Sequence, residues 1–522
     1  MPDAGIRQRW ADAGWPRNLP AITRLPFDAN VGIVFLLGLA LPVAYALFES
    51  FAWPLIHDAP IMHYIAWRIS EGAVPYRDIF DMNQPGAYLV HLAVLRVLGE
   101  SDAAWRMFDL VVLAWTALVI RRFAAPWGIA ASVGASLFFV AFHLMGGAWH
   151  MGERDFLLCP LLLTGGLAVA VWDEAAGGAR RISPLVLAGA AVGAAITIKP
   201  HTLLFALAMG VLVVLRARRR GDRPWMPAGV YLAALVAPCI ATMAWLANAG
   251  GMGAWWWIMR DYVVPLYSHV GRAQSWPLLR SPLWASIGLT IAVSLFSIVR
   301  DRRFTARHGI AIAGVIYGVA HYFGQGKAWP YHLYPLAAFA ALLLFAELGP
   351  AARDVRARRI LVLVGIGAAI VFLTVQLSQT IRSASVWDKE AIIRQAVDDV
   401  AARTRPGDTA QVLDTAEGGL HALLRLHIRQ PSRFVYDFHF VHDVDSPTIQ
   451  RLRAELMAAL RREMPRVIVV FRDGWPSGGY DRVRAFPALS NYIDAHYAIA
   501  EQRRWYTVLE RRASVDQRRP EG

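Results

Sequence analysis

Apolar residues along this chain gather in runs of roughly 15 to 22, broken by short polar loops, a length suited to about 30 Å of hydrocarbon. The runs fall at 31–51, 103–120, 126–145, 156–172, 184–199, 201–215, 226–247, 281–299, 308–324, 333–348 and 359–379. Backbone polar groups in lipid must pair within their own segment, so each run predicts a helix. The stretch between the first two runs, 52–102, is far longer than a connection needs. Inside it, Ile61, Tyr64, Ile65, Arg68 and Ile69 recur at helical spacing between Asp58 and Gly72, which predicts a helix lying along the interface. A second amphipathic stretch, Gln84 to Gly99, carries His91 and Arg96 and also reads as interfacial, because ionised groups at mid-bilayer cost about 3 kcal/mol.

After Ile381 the period changes. Strands are predicted over 408–414, 433–438, 466–471 and 505–510, with helices over 417–427 and from Ser446 to about Glu463, where Pro447 fits a first turn. Strands alternating with helices predict a small α/β layer domain. The expected fold is mainly α: a polytopic helical membrane protein of about eleven transmembrane helices with a small C-terminal α/β domain. The expected organisation is an N-terminal cytoplasmic segment over 1–30, a transmembrane domain over 31–380 with its long first outer loop at 52–102, and a soluble domain over 381–522.

Composition agrees with that picture. Of 522 residues 56% are hydrophobic and only 18% charged, with 20 tryptophans; a soluble protein would carry about a quarter charged residues. A net charge of +14 raises the question of nucleic acid. The arginines form no single patch, however; they mark alternate loops. One set holds Arg7, Arg9, Arg17 and Arg24, then Arg121 and Arg122, Arg180 and Arg181, Arg216 to Arg223, Arg300 to Arg307, and Arg353 to Arg359. The other loops carry far fewer: Arg68, Arg77, Arg96, Arg154, Arg260, Arg272, Arg280 and Lys327, with Lys199 at a span end. Basic loops are cytoplasmic, so the N-terminus is expected inside and the C-terminal domain outside, in the periplasmic or extracytoplasmic space of an inner (plasma) membrane. That pattern encodes topology and excludes nucleic acid as a partner; membrane lipids are the expected surroundings. Trp255, Trp256, Trp257 and Trp276 form an aromatic belt on the outer side. Cys159 and Cys239 both sit in apolar runs and make neither a disulfide framework nor a metal motif. The soluble tail has no glycine-rich loop after a strand, so nothing in it marks a nucleotide site.

Candidate chemistry gathers in the outer loops. Asp58 follows the first run, flanked by Pro54 and Pro60; Glu153 and Asp155 close the short loop before the fourth run. A carboxylate at a helix start is often a cap stabilised by the helix dipole, yet these stand on one face of the bilayer at similar depth, with cations on neighbouring loops. The cations are Lys199, in Ile198-Lys199-Pro200-His201, and Lys327 with His332, in a nine-residue connection dense in hydrogen-bond donors that suggests an anion site. The spatial expectation is that the two acidic loops meet at the outer leaflet, opposite groups able to hold a lipid phosphate.

The first outer loop reads His57-Asp58-Ala59-Pro60, then Gly72-Ala-Val-Pro75-Tyr76-Arg77-Asp78, then Asn83-Gln84-Pro85-Gly86 and Leu98-Gly99-Glu100-Ser101. Together with Tyr331-His332-Leu333-Tyr334-Pro335 and the soluble tail, this order of motifs resembles the GT-C glycosyltransferases of the protein-mannosyltransferase and aminoarabinose-transferase type. The resemblance covers most of the chain. It implies transfer of a sugar from a polyprenyl-phosphate carrier to a lipid, polysaccharide or protein acceptor on the outer face. It further implies Asp58 as the catalytic acidic residue, with Asp155 or Glu153 as the second. Lys327, His332, Lys199, Arg77, Tyr331, Tyr76 and Gln84 become candidates for holding the donor and its phosphate. Two departures stand out: Asp58-Ala59 replaces the usual Asp-Glu, and Asn83-Gln84-Pro85-Gly86 lacks the lysine common in that turn. Lys327, Arg77 or Lys199 would then supply the missing charge.

The residue types suit the chemistry. A positioned carboxylate can relieve an acceptor hydroxyl of its proton, while the departing lipid phosphate needs Lys, Arg, His or a metal ion aimed at it. A divalent cation, Mg2+ or Mn2+, is compatible with paired carboxylates, but oxygen ligands for hard cations are scattered and spacing does not identify them. The rival expectations are a transporter or flippase of glycolipid, whose ionisable groups belong at mid-membrane beside broken helices, and a non-catalytic envelope assembly protein working through its tail.

Overall fold

A computed structural model of the chain describes residues 27–175, 182–348, 356–476 and 478–513. Arg7, Arg9, Arg17, Arg24, Arg180, Arg181 and Arg353, counted above for topology, lie outside them, as does nearly all of the segment 1–30. Every one of the eleven apolar runs coincides with a helix, from Phe27–Ser50 to Arg356–Arg382. Seven helical segments among the described residues are long and apolar enough to cross a membrane; Leu36–Ser50, Ile129–Met145 and Ser183–Ile198 are shorter apolar helices.

Small residues let the helices approach closely. In Ser183–Ile198, Gly189 and Gly193 face the helix Trp225–Asn248 so tightly that an added Cβ would stand 2.4 Å from the Tyr231 carbonyl and 2.2 Å from that of Leu235. This is a small-xxx-small seam, which brings two backbones together where lipid gives no hydrophobic push.

The loops fall into two groups at opposite ends of the helices. At one end, Arg307 forms a two-pronged pair with Glu174 (2.6 and 2.7 Å) and also donates to the Arg122 carbonyl (3.1 Å). There too Arg220 meets Asp173 (2.5 Å) and Arg303 meets Glu347 (2.8 Å). These belong to the arginine-rich set. The sparsely basic loops gather at the other end, beneath the soluble domain.

That domain holds a four-stranded sheet in the order β1-β2-β4-β3: β1 Ala410–Leu413, β2 Val467–Phe471, β3 Tyr497–Gln502 and β4 Tyr506–Arg511. β1 and β2 are parallel, and the other pairings are antiparallel. Ser446 does precede a helix, Pro447–Glu463, with Pro447 in its first turn. Two expectations for this domain need correction. The stretch 433–438 is not a strand: Phe434 makes one isolated bridge to Phe80 of the first outer loop and pairs with nothing in the sheet. β3 was not foreseen, because an edge strand with only its first residue buried lacks the alternating pattern of a half-buried one.

The long first loop, 52–102, is the joint between membrane body and C-terminal domain. The helix Asp58–Ser70 buries Ala59 to Ala66. Its burial goes beyond one amphipathic face, because the soluble domain covers it. The Tyr64 hydroxyl accepts a hydrogen bond from the Gln430 amide (3.0 Å), and the Phe80 amide donates to the Arg433 carbonyl (2.6 Å). The helix Pro85–Val97, at 13 residues, is too short to span. Its His91 is buried, 2.7 Å from His63 through their Nδ1 atoms and stacked on Trp105.

Candidate active site

Two helix N-termini meet under the soluble domain. One is that of Asp58–Ser70, entered through His57 in the left-handed region (φ 67°). The other is that of Arg154–Glu174, entered through Gly152 and Glu153. Gly152 has φ 76°, and a Cβ there would collide with the Trp105 ring at 2.5 Å, so only glycine delivers Glu153 and Arg154 to this place.

The side chains of the two starts interlock. Arg154 Nη2 donates to Asp58 Oδ2 at 2.9 Å. His57 Nδ1 lies 3.3 Å from Glu153 Oε1 and 3.7 Å from Asp58 Oδ1. Burial opposes charge on Asp58, but His57 and Arg154 outweigh it and hold the carboxyl below its ordinary range. For Glu153 burial wins, reinforced by the negative charge of Asp58, and its carboxyl is pushed up to about 7. Burial works against the His57 imidazolium, yet the Asp58 charge and the Glu153 hydrogen bond raise its pKa above the ordinary imidazole value. Arg154 is buried, and its Nε and Nη1 have no hydrogen-bond partner among the described residues. Buried guanidinium donors are costly to leave unmade, so these two nitrogens call for a further acceptor.

A cavity of about 330 Å³ opens onto this cluster, within the range of small-molecule sites. His57, Asp58, Asn83, Trp149, His150 and Arg154 form its membrane-side wall, and Tyr267, Trp329 and Tyr331 its flank. The soluble domain closes it with Thr415 to Glu417, Tyr436, Phe438 and the Gly474-Trp475 pair.

The residues singled out from sequence scatter around this cavity. Asp58 and Tyr331 line it. Glu153 stands just behind His57, 1% exposed. Asp155 does not reach the opening; its carboxylate is fully buried, with Lys199 Nζ on one oxygen (2.7 Å) and His321 Nε2 on the other (2.5 Å). The two acidic loops do meet, but through Glu153 and Arg154, with Asp155 sealed away.

His332 is buried against the His321 and Trp329 rings and does not line the cavity. Lys327 Nζ donates to the carbonyls of Tyr267 (3.3 Å) and Val270 and lies 5.1 Å from the Trp475 ring centre. Burial, with Arg272 nearby, lowers its pKa to about 8. It is a clasp between loops, not a free anion ligand. Arg77 is largely exposed, hydrogen-bonded to Asp78, and belongs to a separate groove. The buried Tyr76 hydroxyl donates to the Asn83 carbonyl (2.7 Å), and Gln84 accepts from Trp255 Nε1 (3.3 Å); neither lines the cavity. Asn83, which Tyr76 holds, does.

The sequence did not single out Arg154 and His57 beside Asp58, nor the residues by which the soluble domain, expected from its position to cover the site or help bind the acceptor, closes the cavity. The available signal for Arg154 was its position between two carboxylates in a loop set otherwise poor in arginine. His57, Asp58 and Glu153 also present ligand atoms within 4.8 Å of one another. One imidazole and two carboxylates suit Mn2+ better than Mg2+, which favours an all-oxygen shell.

Apolar helices, seven of them among the described residues long enough to span, join a small mixed-sheet domain with a cavity between them, which makes this a polytopic helical membrane fold. Two solved structures share the fold. ArnT from Cupriavidus metallidurans in the apo state has a TM-score of 0.59 at 12% identity, covering 93% of this chain and 99% of its own. ArnT from the same organism bound to undecaprenyl phosphate has a TM-score of 0.57 at 14% identity, covering 92% and 98%. At these identities the likeness is one of fold. No family model and no curated protein matches the sequence.

Proposed function

We propose that this protein is a membrane glycosyltransferase. It transfers a sugar from a polyprenyl-phosphate-linked donor to a lipid or polysaccharide acceptor of the cell envelope, on the outer face of the inner membrane. One observation carries the reading: a carboxylate held ionised, Asp58, stands 2.9 Å from a guanidinium with two unpartnered buried donors, Arg154, at one wall of a roofed cavity. The fold shared with a protein solved in complex with undecaprenyl phosphate supports the choice of donor. The gathering of arginine-rich loops at the end opposite the cavity supports the outer-face placement.

In this mechanism Asp58 accepts the proton of the acceptor hydroxyl as general base. The hydroxyl oxygen attacks the anomeric carbon, and the bond from that carbon to the phosphate oxygen breaks. Its electron pair leaves with the polyprenyl phosphate, whose charge is received by Arg154, the His57 imidazolium and the two helix N-termini. A single displacement inverts the anomeric centre. Lys327, Arg77 and Lys199 hold other partners, so Arg154 takes the place of the lysine missing from the first-loop turn.

A divalent cation is the second reading for the charge at this wall. His57, Asp58 and Glu153 would hold it, and it would supply the positive charge facing the phosphate. Metal binding needs the neutral imidazole and releases a proton, so the ion and the imidazolium exclude each other. Purified protein in detergent, assayed against a panel of polyprenyl-phosphate sugars with and without chelator, tests both points. Transfer that survives chelation supports His57; transfer restored only by Mn2+ or Mg2+ supports the ion; no transfer from any donor removes the enzyme reading.

A further inference from the structure

The soluble domain contributes an ordered wall to the cavity. β1 and β2 are adjacent and parallel, and both loops that leave their carboxyl ends reach the membrane site: Asp414 to Gly418 after β1, and Arg472 to Trp475 after β2. The crevice at the carboxyl ends of parallel strands is where open α/β sheets take their ligands.

Both loops are fixed from behind. The Asp414 carboxylate accepts the amides of Glu417 (2.7 Å), Gly418 (3.1 Å) and Gly419 (2.7 Å), which turns Thr415 to Glu417 outward. The buried Arg482 donates to the carbonyls of Gly479 (2.7 Å) and Leu413 (3.3 Å) and to the Asp437 carboxylate (2.7 Å). Asp437 in turn accepts the Thr415 hydroxyl at 2.9 Å. Trp475 is wedged edge-on against Trp329 and Phe438, with ring centres 5.4 and 5.2 Å apart, and its ring leaves no room for a Cβ on Gly271. Glu417 presents a half-exposed carboxylate paired with Lys389.

Aromatic faces beside a carboxylate and a hydroxyl are the chemistry that recognises a sugar ring: apolar C–H faces pack on aromatic rings, and ring hydroxyls bond to the carboxylate. The sugar of a polyprenyl-phosphate donor is bonded directly to the phosphate. With that phosphate on Arg154, the ring has only the space between Asp58 and this roof to occupy. We infer that the soluble domain reads the donor's glycosyl group, Trp475 and Tyr436 packing on the ring and Glu417 bonding its hydroxyls. The inference rests on the glycosyltransferase reading above and deepens it.

The test compares two ligands on the full-length protein in detergent: polyprenyl phosphate without sugar, and the polyprenyl-phosphate sugar that the wild type turns over. Glu417→Gln and Trp475→Phe are expected to weaken the sugar-bearing donor about tenfold and to leave the sugar-free lipid phosphate within about twofold. Trp475→Phe keeps an aromatic wedge, so a folding defect would show as equal loss of both ligands in that variant and not in Glu417→Gln. Unchanged donor affinity in both variants overturns the inference, as does a change confined to the KM of the acceptor, which would make the roof an acceptor site. Failure of the wild type to bind either ligand would instead refute the glycosyltransferase reading itself.

Discussion

Asp58 and Asp155 begin neighbouring helices at the same end of the membrane body, yet they occupy opposite chemical situations. Asp155 is fully buried, each oxygen answered by its own partner, Lys199 and His321, and it does not line the cavity. Asp58 shares Arg154 and His57 with Glu153 and faces open space. A carboxylate saturated by buried partners fixes helices together. One whose partner still carries unmade hydrogen bonds can exchange them for a substrate's. Depth in the membrane is thus a poor guide to function, and the state of the counter-ion a good one.

The contrast breaks if the two residues respond alike to the same substitution. Asp58→Asn keeps shape and removes the base, so transfer should fall about a thousandfold with membrane abundance unchanged, measured by turnover per purified molecule. Arg154→Gln should cost about a hundredfold in kcat and weaken polyprenyl-phosphate binding. It should also move the acid limb of the rate profile to higher pH, since the charge that holds Asp58 below its ordinary range is gone. Asp155→Asn should leave turnover per folded molecule within a few-fold. Its loss belongs to stability, about 3 kcal/mol for breaking a buried pair, read as a lower melting temperature in detergent.

The smallest effect sharpens the role of Glu153. Asp58 is ionised well below neutral pH, so the rate is flat on the acid side until its depressed pKa is reached. The imidazolium of His57 is lost as pH rises through a pKa lying above the ordinary imidazole value, which sets the alkaline limb. Asp58 and, after it, Glu153 raise that pKa, so Glu153→Gln should move the alkaline limb to lower pH; an unmoved limb would separate Glu153 from His57.

The helices were legible because a bilayer imposes length and apolarity on every crossing, and eleven runs meet eleven helices. Asp58 stands out in the sequence as a carboxylate between prolines just after a span, and the fold places it at the cavity wall. Arg154 was harder to single out, since its partner is set by folding, which sends it to Asp58, 96 positions away. Lys327 misled in the opposite sense. Its glycine- and aromatic-rich setting marks a close-packed clasp on backbone carbonyls as readily as an anion site. The 433–438 stretch reads as a strand because it is apolar, but its burial comes from the first outer loop, which local pattern does not reveal.

The most direct measurement is an experimental structure of the protein with polyprenyl phosphate bound. The account predicts the phosphate oxygens within hydrogen-bonding distance of Arg154 Nε or Nη1, with Asp58 facing the side on which a sugar would stand. A phosphate seated instead on Lys327, on Arg77, or between Lys199 and an opened Asp155 would contradict it.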